Sequence, residues 1–261
     1  MSIGVFDSGV GGLTVFKSIS EKFQQVDMYY IGDTARVPYG NKSMDTVIKY
    51  SKELANFLIS NFHVDLIVVA CNTASSYAID YLKNNLTIPV IGVVEPGATS
   101  AISITKNNKI GVIGTQATIK SNSYANILRA LSKNGLNVYQ KACPLLVPLV
   151  EEGKIDHKVT EIIVKEYLDE IVDEGVDTLI LGCTHYPVLK PLIKKIYPQL
   201  NLVDSSEAII NYIEKIGINK FEKGIRNIYV TDESSSFEIL KNMLIGDIPT
   251  FKIDLDSITK D

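Results

Sequence analysis

Two ten-residue segments hold the side chains best suited to chemistry. Val64-Asp65-Leu66-Ile67-Val68-Val69-Ala70-Cys71-Asn72-Thr73 and Val176-Asp177-Thr178-Leu179-Ile180-Leu181-Gly182-Cys183-Thr184-His185 share one pattern. In each, an Asp precedes a short apolar run, the run stops at a small residue, and a cysteine follows with hydrogen-bonding residues behind it. An apolar run of that length reads as a buried strand, so each cysteine stands at a strand's C-terminal end. Ligands of open α/β sheets bind at that edge. Two thiols arriving there from equivalent units predict a site between them.

A thiol reacts as the thiolate. Cys71 is followed by Asn72 and Thr73 at the start of a predicted helix, whose free amides favour negative charge. Cys183 has His185 two positions on, on the same side of an extended chain. Three uses fit such a pair. Cys71, Cys183 and His185 make a three-ligand set for a catalytic zinc, as in a hydrolase. Disulfide exchange is the second use, although neither segment carries a C-x-x-C motif. The third is proton transfer on opposite faces of one carbon, one thiolate taking a proton and the other thiol giving one back. Racemisation must run equally well in both directions, which calls for two acid/base groups in near-mirror positions. A non-enzymatic reading also stands: a binding protein for small anions whose thiols are buried and inert, since cysteine is among the most buried residue types. Cys143, in Lys141-Ala142-Cys143-Pro144, has no matched counterpart and reads as core packing.

The loop Asp7-Ser8-Gly9-Val10-Gly11-Gly12-Leu13-Thr14 follows the first apolar run and opens a helix. Its glycines allow close backbone approach to an anion, and Ser8 adds a hydroxyl. As a dinucleotide fingerprint it fails, because the third glycine is misplaced and no ribose-binding acid follows at the right distance. No nucleotide cofactor is expected, and a carboxylate is the better ligand. No lysine occupies a comparable strand end, so no pyridoxal role is expected either. Asn72, Thr73 and Thr184 supply neutral donors for a substrate's carboxylates. Asp7 reads equally as a turn or capping residue, and Arg36 as a salt bridge that holds its loop.

Strand-like runs fall at 3–6, 27–32, 64–70, 88–93, 109–113, 136–139, 177–182, 200–203 and 226–230. Helical patterns fall at 13–23, 44–61, 74–84, 95–105, 118–132, 157–174 and 234–244, with Ser43, Asp156 and Ser205 as candidate caps. Strand and helix in alternation predict an α/β fold of mostly parallel sheets flanked by helices. The cysteines lie 183 − 71 = 112 residues apart, and Ile3-Gly4-Val5-Phe6-Asp7-Ser8 resembles Ile110-Gly111-Val112-Ile113-Gly114-Thr115 at 110 − 3 = 107. Near-equal offsets predict an internal duplication into two similar domains. The first is expected over 1–96 and the second over 97–207. The tail, 208–261, is expected to extend one sheet and is assigned to the first domain.

The 261 residues are 46 % hydrophobic and 21 % charged, enough for a substantial core. A net charge of −4, with only three arginines beside 23 lysines, argues against a nucleic-acid partner. No run of eighteen apolar residues and no secretory signal pattern occurs, so neither membrane insertion nor export is expected. The cytoplasm is the expected location, where thiols stay reduced.

Four strings, taken together, are specific. Asp7-Ser8-Gly9-Val10-Gly11-Gly12, Gly32-Asp33-Thr34-Ala35-Arg36-Val37-Pro38-Tyr39-Gly40, Ala70-Cys71-Asn72-Thr73-Ala74-Ser75 and Gly182-Cys183-Thr184-His185-Tyr186-Pro187 resemble the cofactor-independent aspartate/glutamate racemase superfamily, on its glutamate-specific side. The resemblance spans essentially the whole chain. It implies a two-domain fold with the active site in the cleft, no cofactor, no metal, a homodimer, and interconversion of L- and D-glutamate, the D form serving peptidoglycan. A sister activity on aspartate is the near alternative. By the matched strings, Cys71 and Cys183 are the two proton carriers. Asp7 assists Cys71, while His185 and Glu151, in Val147-Pro148-Leu149-Val150-Glu151, assist Cys183. Ser8, Tyr39, Gly40, Asn72, Thr73 and Thr184 match substrate-binding positions, with Asp7 and His185 counted among them. Glu151 has an acidic neighbour, Glu152, and a solvated acidic pair is its other reading.

Overall fold

The nine apolar runs read as strands all form strands, and a tenth short one joins them near the C-terminus. The protein, seen in a computed structural model that describes residues 1–132, 135–216, 224–233 and 235–259, is built on two sheets. In chain order the strands are β1 (Ser2–Asp7), β2 (Asp27–Gly32), β3 (Leu66–Val69), β4 (Val90–Gly92), β5 (Lys109–Gly114), β6 (Asn137–Ala142), β7 (Thr178–Gly182), β8 (Asn201–Asp204), β9 (Arg226–Val230) and β10 (Thr250–Lys252). The first sheet runs β10-β9-β2-β1-β3-β4 and the second β6-β5-β7-β8. Every pairing is parallel.

Without β9 and β10 the two sheets have one order, β2-β1-β3-β4 against β6-β5-β7-β8. β1 pairs with β2 and β3, as β5 pairs with β6 and β7. β3 and β7 are therefore equivalent strands; Cys183 follows β7 directly, and Cys71 follows β3 after Ala70. Parallel strands covered by helices on both faces have no polar side to present. All of Leu66–Val69 and Thr178–Gly182 is accordingly buried.

Each sheet has a core on either face. On one side of the first, Leu13, Phe16 and Ile19 pack with Met28, Tyr30 and Val68, and the tail contributes Ile209, Ile213 and Ile228. On the other, Val47, Leu54 and Leu58 of the helix Met44–Phe62 cover Ile31, Ile67 and Val69. The second sheet is covered by Val164, Leu168 and Ile171 on one face and by Val94, Ala98, Ala101, Tyr124 and Leu128 on the other. Each Val, Leu, Ile, Met or Phe among them contributes about 1.5–3 kcal/mol by leaving water, which fixes the strand ends that carry the cysteines.

Several element boundaries differ from the sequence pattern. The stretch 74–84 is two helices, Asn72–Tyr77 and Ile79–Asn85, and 118–132 is Gln116–Lys120 and Ser123–Leu131, parted at Asn122, which takes the left-handed conformation at φ 56°. Ser43 caps its helix by accepting the Thr46 N–H. Asp156 does not cap the helix Lys158–Asp173: His157 does, its ring nitrogen accepting from Val159 N–H. Nor does Ser205 cap Ser205–Ile216, because the Asp204 carboxylate is one residue nearer and accepts from Ser206 and Glu207 N–H. Helices over Leu146–Glu151 and Lys190–Ile196, six and seven residues long, are too short to show an apolar period, whereas Ser205–Ile216 carries one, with Ala208, Ile209 and Ile213 buried, and is marked in the sequence only by its candidate cap. The pattern at 234–244 is the helix Ser235–Ile245; residue 234 lies outside the described residues, as do 217–223, 260 and 261 of the tail.

Candidate active site

A cavity of about 380 Å³ lies where the C-terminal edges of the two sheets meet. The first unit lines it with Ser8, Tyr39, Gly40, Cys71, Asn72 and Thr73, and the second with Thr115, Gln116, Pro144, Glu151, Cys183, Thr184 and His185 among others. Both thiols therefore reach one space. Of the residues matched to proton-transfer or substrate-binding positions, only Asp7 is absent from the lining; it is fully buried, and Thr184 Oγ1 reaches its Oδ1 at 3.4 Å.

Cys71 is the residue preceding the helix Asn72–Tyr77, and its sulfur accepts the Ala74 N–H at 3.5 Å. On the other side Ser8 Oγ lies 3.8 Å from that sulfur. Burial pushes the Cys71 thiol up to about 12, the nearby Asp7 adds to the rise, and the contacts from Ala74 and Ser8 oppose it. Burial likewise raises the Asp7 carboxyl, against the charge of His185 and hydrogen bonds from Gly9, at 2.9 Å, Gly12 and Thr184. A buried carboxyl raised in this way beside a cavity is a candidate acid/base group.

Beside Cys183, the His185 ring spans two partners: Nδ1 is 3.9 Å from Cys183 Sγ and Nε2 is 3.1 Å from Glu151 Oε1. Burial alone would lower the imidazole, but its bonds to Cys183 and Glu151 outweigh that and raise it to about 10. A folded-state value above the ordinary 6.5 means stabilisation that is complete below about 6.5 and is lost as pH rises through about 10. The urea midpoint should fall across that window. Glu151→Gln, which keeps shape and removes the charge, should flatten the slope; an unchanged slope would show that the pair carries none of it.

The walls are held from both units. Thr73 Oγ1 meets Thr115 Oγ1 at 2.9 Å and Thr118 Oγ1 at 3.3 Å. Asn72 Oδ1 accepts from the Tyr124 hydroxyl at 2.7 Å, and its Nδ2 donates to Ser205 Oγ at 3.5 Å. Tyr39 donates its hydroxyl to Asp33, which also accepts from Arg36 Nε at 2.7 Å and Thr231 at 3.1 Å. Arg36 further pairs with Glu53 and stacks 4.0 Å over the Tyr50 ring. Its ion pairs with Asp33 and Glu53 tie the loop to the helix Met44–Phe62, and it is absent from the cavity lining.

The glycine loop works differently from the anion cradle expected. Of residues 7–14 only Ser8 lines the cavity. A Cβ on Gly11 would stand 2.4 Å from Thr184 Oγ1 and 2.6 Å from His185 Nδ1, and one on Gly12 would stand 2.4 Å from Asp7 Cβ. These glycines admit protein side chains, letting the loop of one unit close onto the Cys183 segment of the other. Cys143 packs with Leu146, Val150 and Tyr186, and burial raises its thiol to about 12. Among the described residues no three His, Cys, Asp or Glu side chains are grouped to hold a metal ion. No described helix is long and apolar enough to cross a membrane.

Sequence reasoning missed Thr115, Gln116, Pro144, Val147 and Pro148 in the lining. A signal for Thr115 was present, since the repeat that aligns 3–8 with 110–115 sets it opposite Ser8.

Comparison with known proteins follows the same lines. The family model Asp/Glu/Hydantoin racemase matches residues 3–213. The glutamate racemase of Sulfurihydrogenibium sp. is 63 % identical over 258 residues, 99 % of each chain. That of Persephonella marina is 60 % identical over 259 residues, again 99 % of each. The crystal structure of the Francisella tularensis glutamate racemase with D-glutamate superposes with a TM-score of 0.89 at 38 % identity, covering 98 % of both chains. The chain belongs to the Asp/Glu/hydantoin racemase family.

Proposed function

We propose that the chain is a glutamate racemase, an isomerase that interconverts L- and D-glutamate with Cys71 and Cys183 as its two proton carriers. The observation that carries this reading is that thiols from equivalent strands line one cavity. One sulfur, as thiolate, takes the Cα proton and becomes a thiol. The other, a thiol on the opposite face, gives its proton to Cα and is left as thiolate. The reverse reaction exchanges the roles. Asp7 is placed to exchange a proton on the Cys71 side, and His185, braced by Glu151, on the Cys183 side. An amino acid's α-proton is very weakly acidic, and each tenfold in rate needs about 1.4 kcal/mol of transition-state stabilisation. Fixed donors in a dry site supply such stabilisation without reorganising. Ser8, Asn72, Thr73 and Thr184 are those donors for the carboxylates, with Tyr39 and Gly40 shaping the wall.

The domains closing on the substrate are 1–96 with 208–261, and 97–207. With this reading go a cytoplasmic homodimer and a role in supplying D-glutamate for peptidoglycan. The purified protein, without added cofactor and in the presence of a chelator, should bring L- and D-glutamate separately to zero circular dichroism, and act at least about 100-fold more slowly on aspartate. Faster turnover of aspartate would move the assignment to the sister activity, and loss of activity in chelator would favour a metal enzyme.

A further inference from the structure

Asn72 needs its amide turned one way to serve a carboxylate, with N–H toward the ligand. Tyr124, from the helix Ser123–Leu131 of the second unit, is wholly buried and donates its hydroxyl to Asn72 Oδ1 at 2.7 Å. A buried phenol must find an acceptor, and Asn72 Oδ1 is its acceptor among the described residues. Were the amide reversed, the phenol hydrogen would face an NH₂ group and have no partner. Ser205, on the amide nitrogen at 3.5 Å, can donate or accept, so it does not select an orientation. Burial, with Asp204 and Cys183 nearby, raises the phenol further above its ordinary range and keeps it a donor. One Asn72 N–H is then taken by Ser205, and the second is left for the cavity that Asn72 lines.

The ring of Tyr124 has a second contact of consequence. A Cβ on Gly182 would lie 3.2 Å from its Cε2, and a Cβ on Gly97 3.2 Å from its hydroxyl oxygen. Gly182 immediately precedes Cys183, and Asn72 immediately follows Cys71. One stiff side chain thus bonds to the residue after Cys71 and leaves little room for a Cβ on the residue before Cys183, across the two units.

We propose that Tyr124 is a positioning residue: its hydroxyl fixes the Asn72 amide with N–H toward the substrate carboxylate, and its ring seats against the glycine before Cys183. This rests on the reading of Asn72 as a carboxylate donor. Tyr124→Phe keeps the ring and removes the hydroxyl. It should raise KM for both enantiomers about tenfold while kcat changes less than about twofold, a split that a general loosening of the fold would not give. Asn72→Ala should raise KM at least as much. The double variant should be no worse than Asn72→Ala, because the tyrosine acts through that amide. Gly97→Ala, which crowds the hydroxyl and, at 3.3 Å, the ring carbon Cε1 from outside the cavity, should raise KM in the wild type, and it carries the test if Tyr124→Phe does not fold. If Asn72→Ala leaves KM unaltered, the reading of Asn72 fails and the positioning role goes with it. If Asn72→Ala raises KM but Tyr124→Phe and Gly97→Ala do not, or if the effects add, Tyr124 has no such role and Asn72 keeps its own.

Discussion

Cys71→Ala and Cys183→Ala should each lose racemisation by more than about 10³-fold in both directions, as read by circular dichroism of glutamate. A positioned proton carrier contributes roughly 10²–10⁴-fold, and racemisation uses both carriers in every turnover, so neither loss can be offset by the other sulfur. The sites are not alike, however. Cys71 sits against Ser8 and a helix amide with Asp7 behind it, whereas Cys183 sits against His185 and Glu151. A serine in either place keeps the hydrogen-bonding pattern but is a much weaker acid, and should remain below about 1 % of the wild-type rate. Cys143→Ala is the internal control: that thiol is core-packed behind the second sheet and should cost stability with little change in turnover. Near wild-type rates from either active-site variant would remove the two-thiol reading altogether.

Gly11→Ala has the second largest expected effect. The added methyl would be 2.4 Å from Thr184 Oγ1 and 2.6 Å from His185 Nδ1, closer than real contacts allow. Something must shift, and the groups in the way are part of the cavity wall. Overpacking of this kind costs about 1–3 kcal/mol, and the displaced imidazole leaves the line between Cys183 and Glu151. The activity should fall more than about 100-fold, since small misplacements of catalytic groups are costly. Gly9→Ala, whose Cβ would meet only Val37 at 3.4 Å, should retain most of the activity. Equal activity in the two variants would mean that the loop does not position His185.

What the sequence displayed, and what it hid, has a physical division. Strands buried on both faces must be continuously apolar, so β1, β3, β5 and β7 stand out, and the residues just after them are located with little error. The Arg36 salt bridge and the packing of Cys143 were readable for similar reasons, being local or apolar. Contacts made across the two units were not. Tyr124 reads as one apolar position of a helix, and nothing along the chain announces that its hydroxyl meets Asn72, 124 − 72 = 52 residues away. The glycine loop showed the same limit: glycine signals close approach, but only the folded chain says that the approaching group is His185 rather than an anion. Caps slipped by one residue at Asp204 and His157 because two adjacent polar residues competed for the same amides. The edge strand β10, three residues long and partly exposed, buries too little to leave a pattern.

The central claim is that two separate sulfurs handle the proton on opposite faces of Cα. It is tested most directly by running the purified enzyme on L-glutamate in heavy water and stopping early, before the product turns back. The enantiomers are then separated and the deuterium at Cα is measured by mass spectrometry. A two-thiol site gives D-glutamate carrying deuterium in nearly every molecule, because the returned hydrogen comes from a thiol equilibrated with solvent, while unreacted L-glutamate stays protiated. Early D-glutamate that retains its original hydrogen would mean that a single group carries the proton across, and would contradict the assignment of Cys71 and Cys183 as a pair.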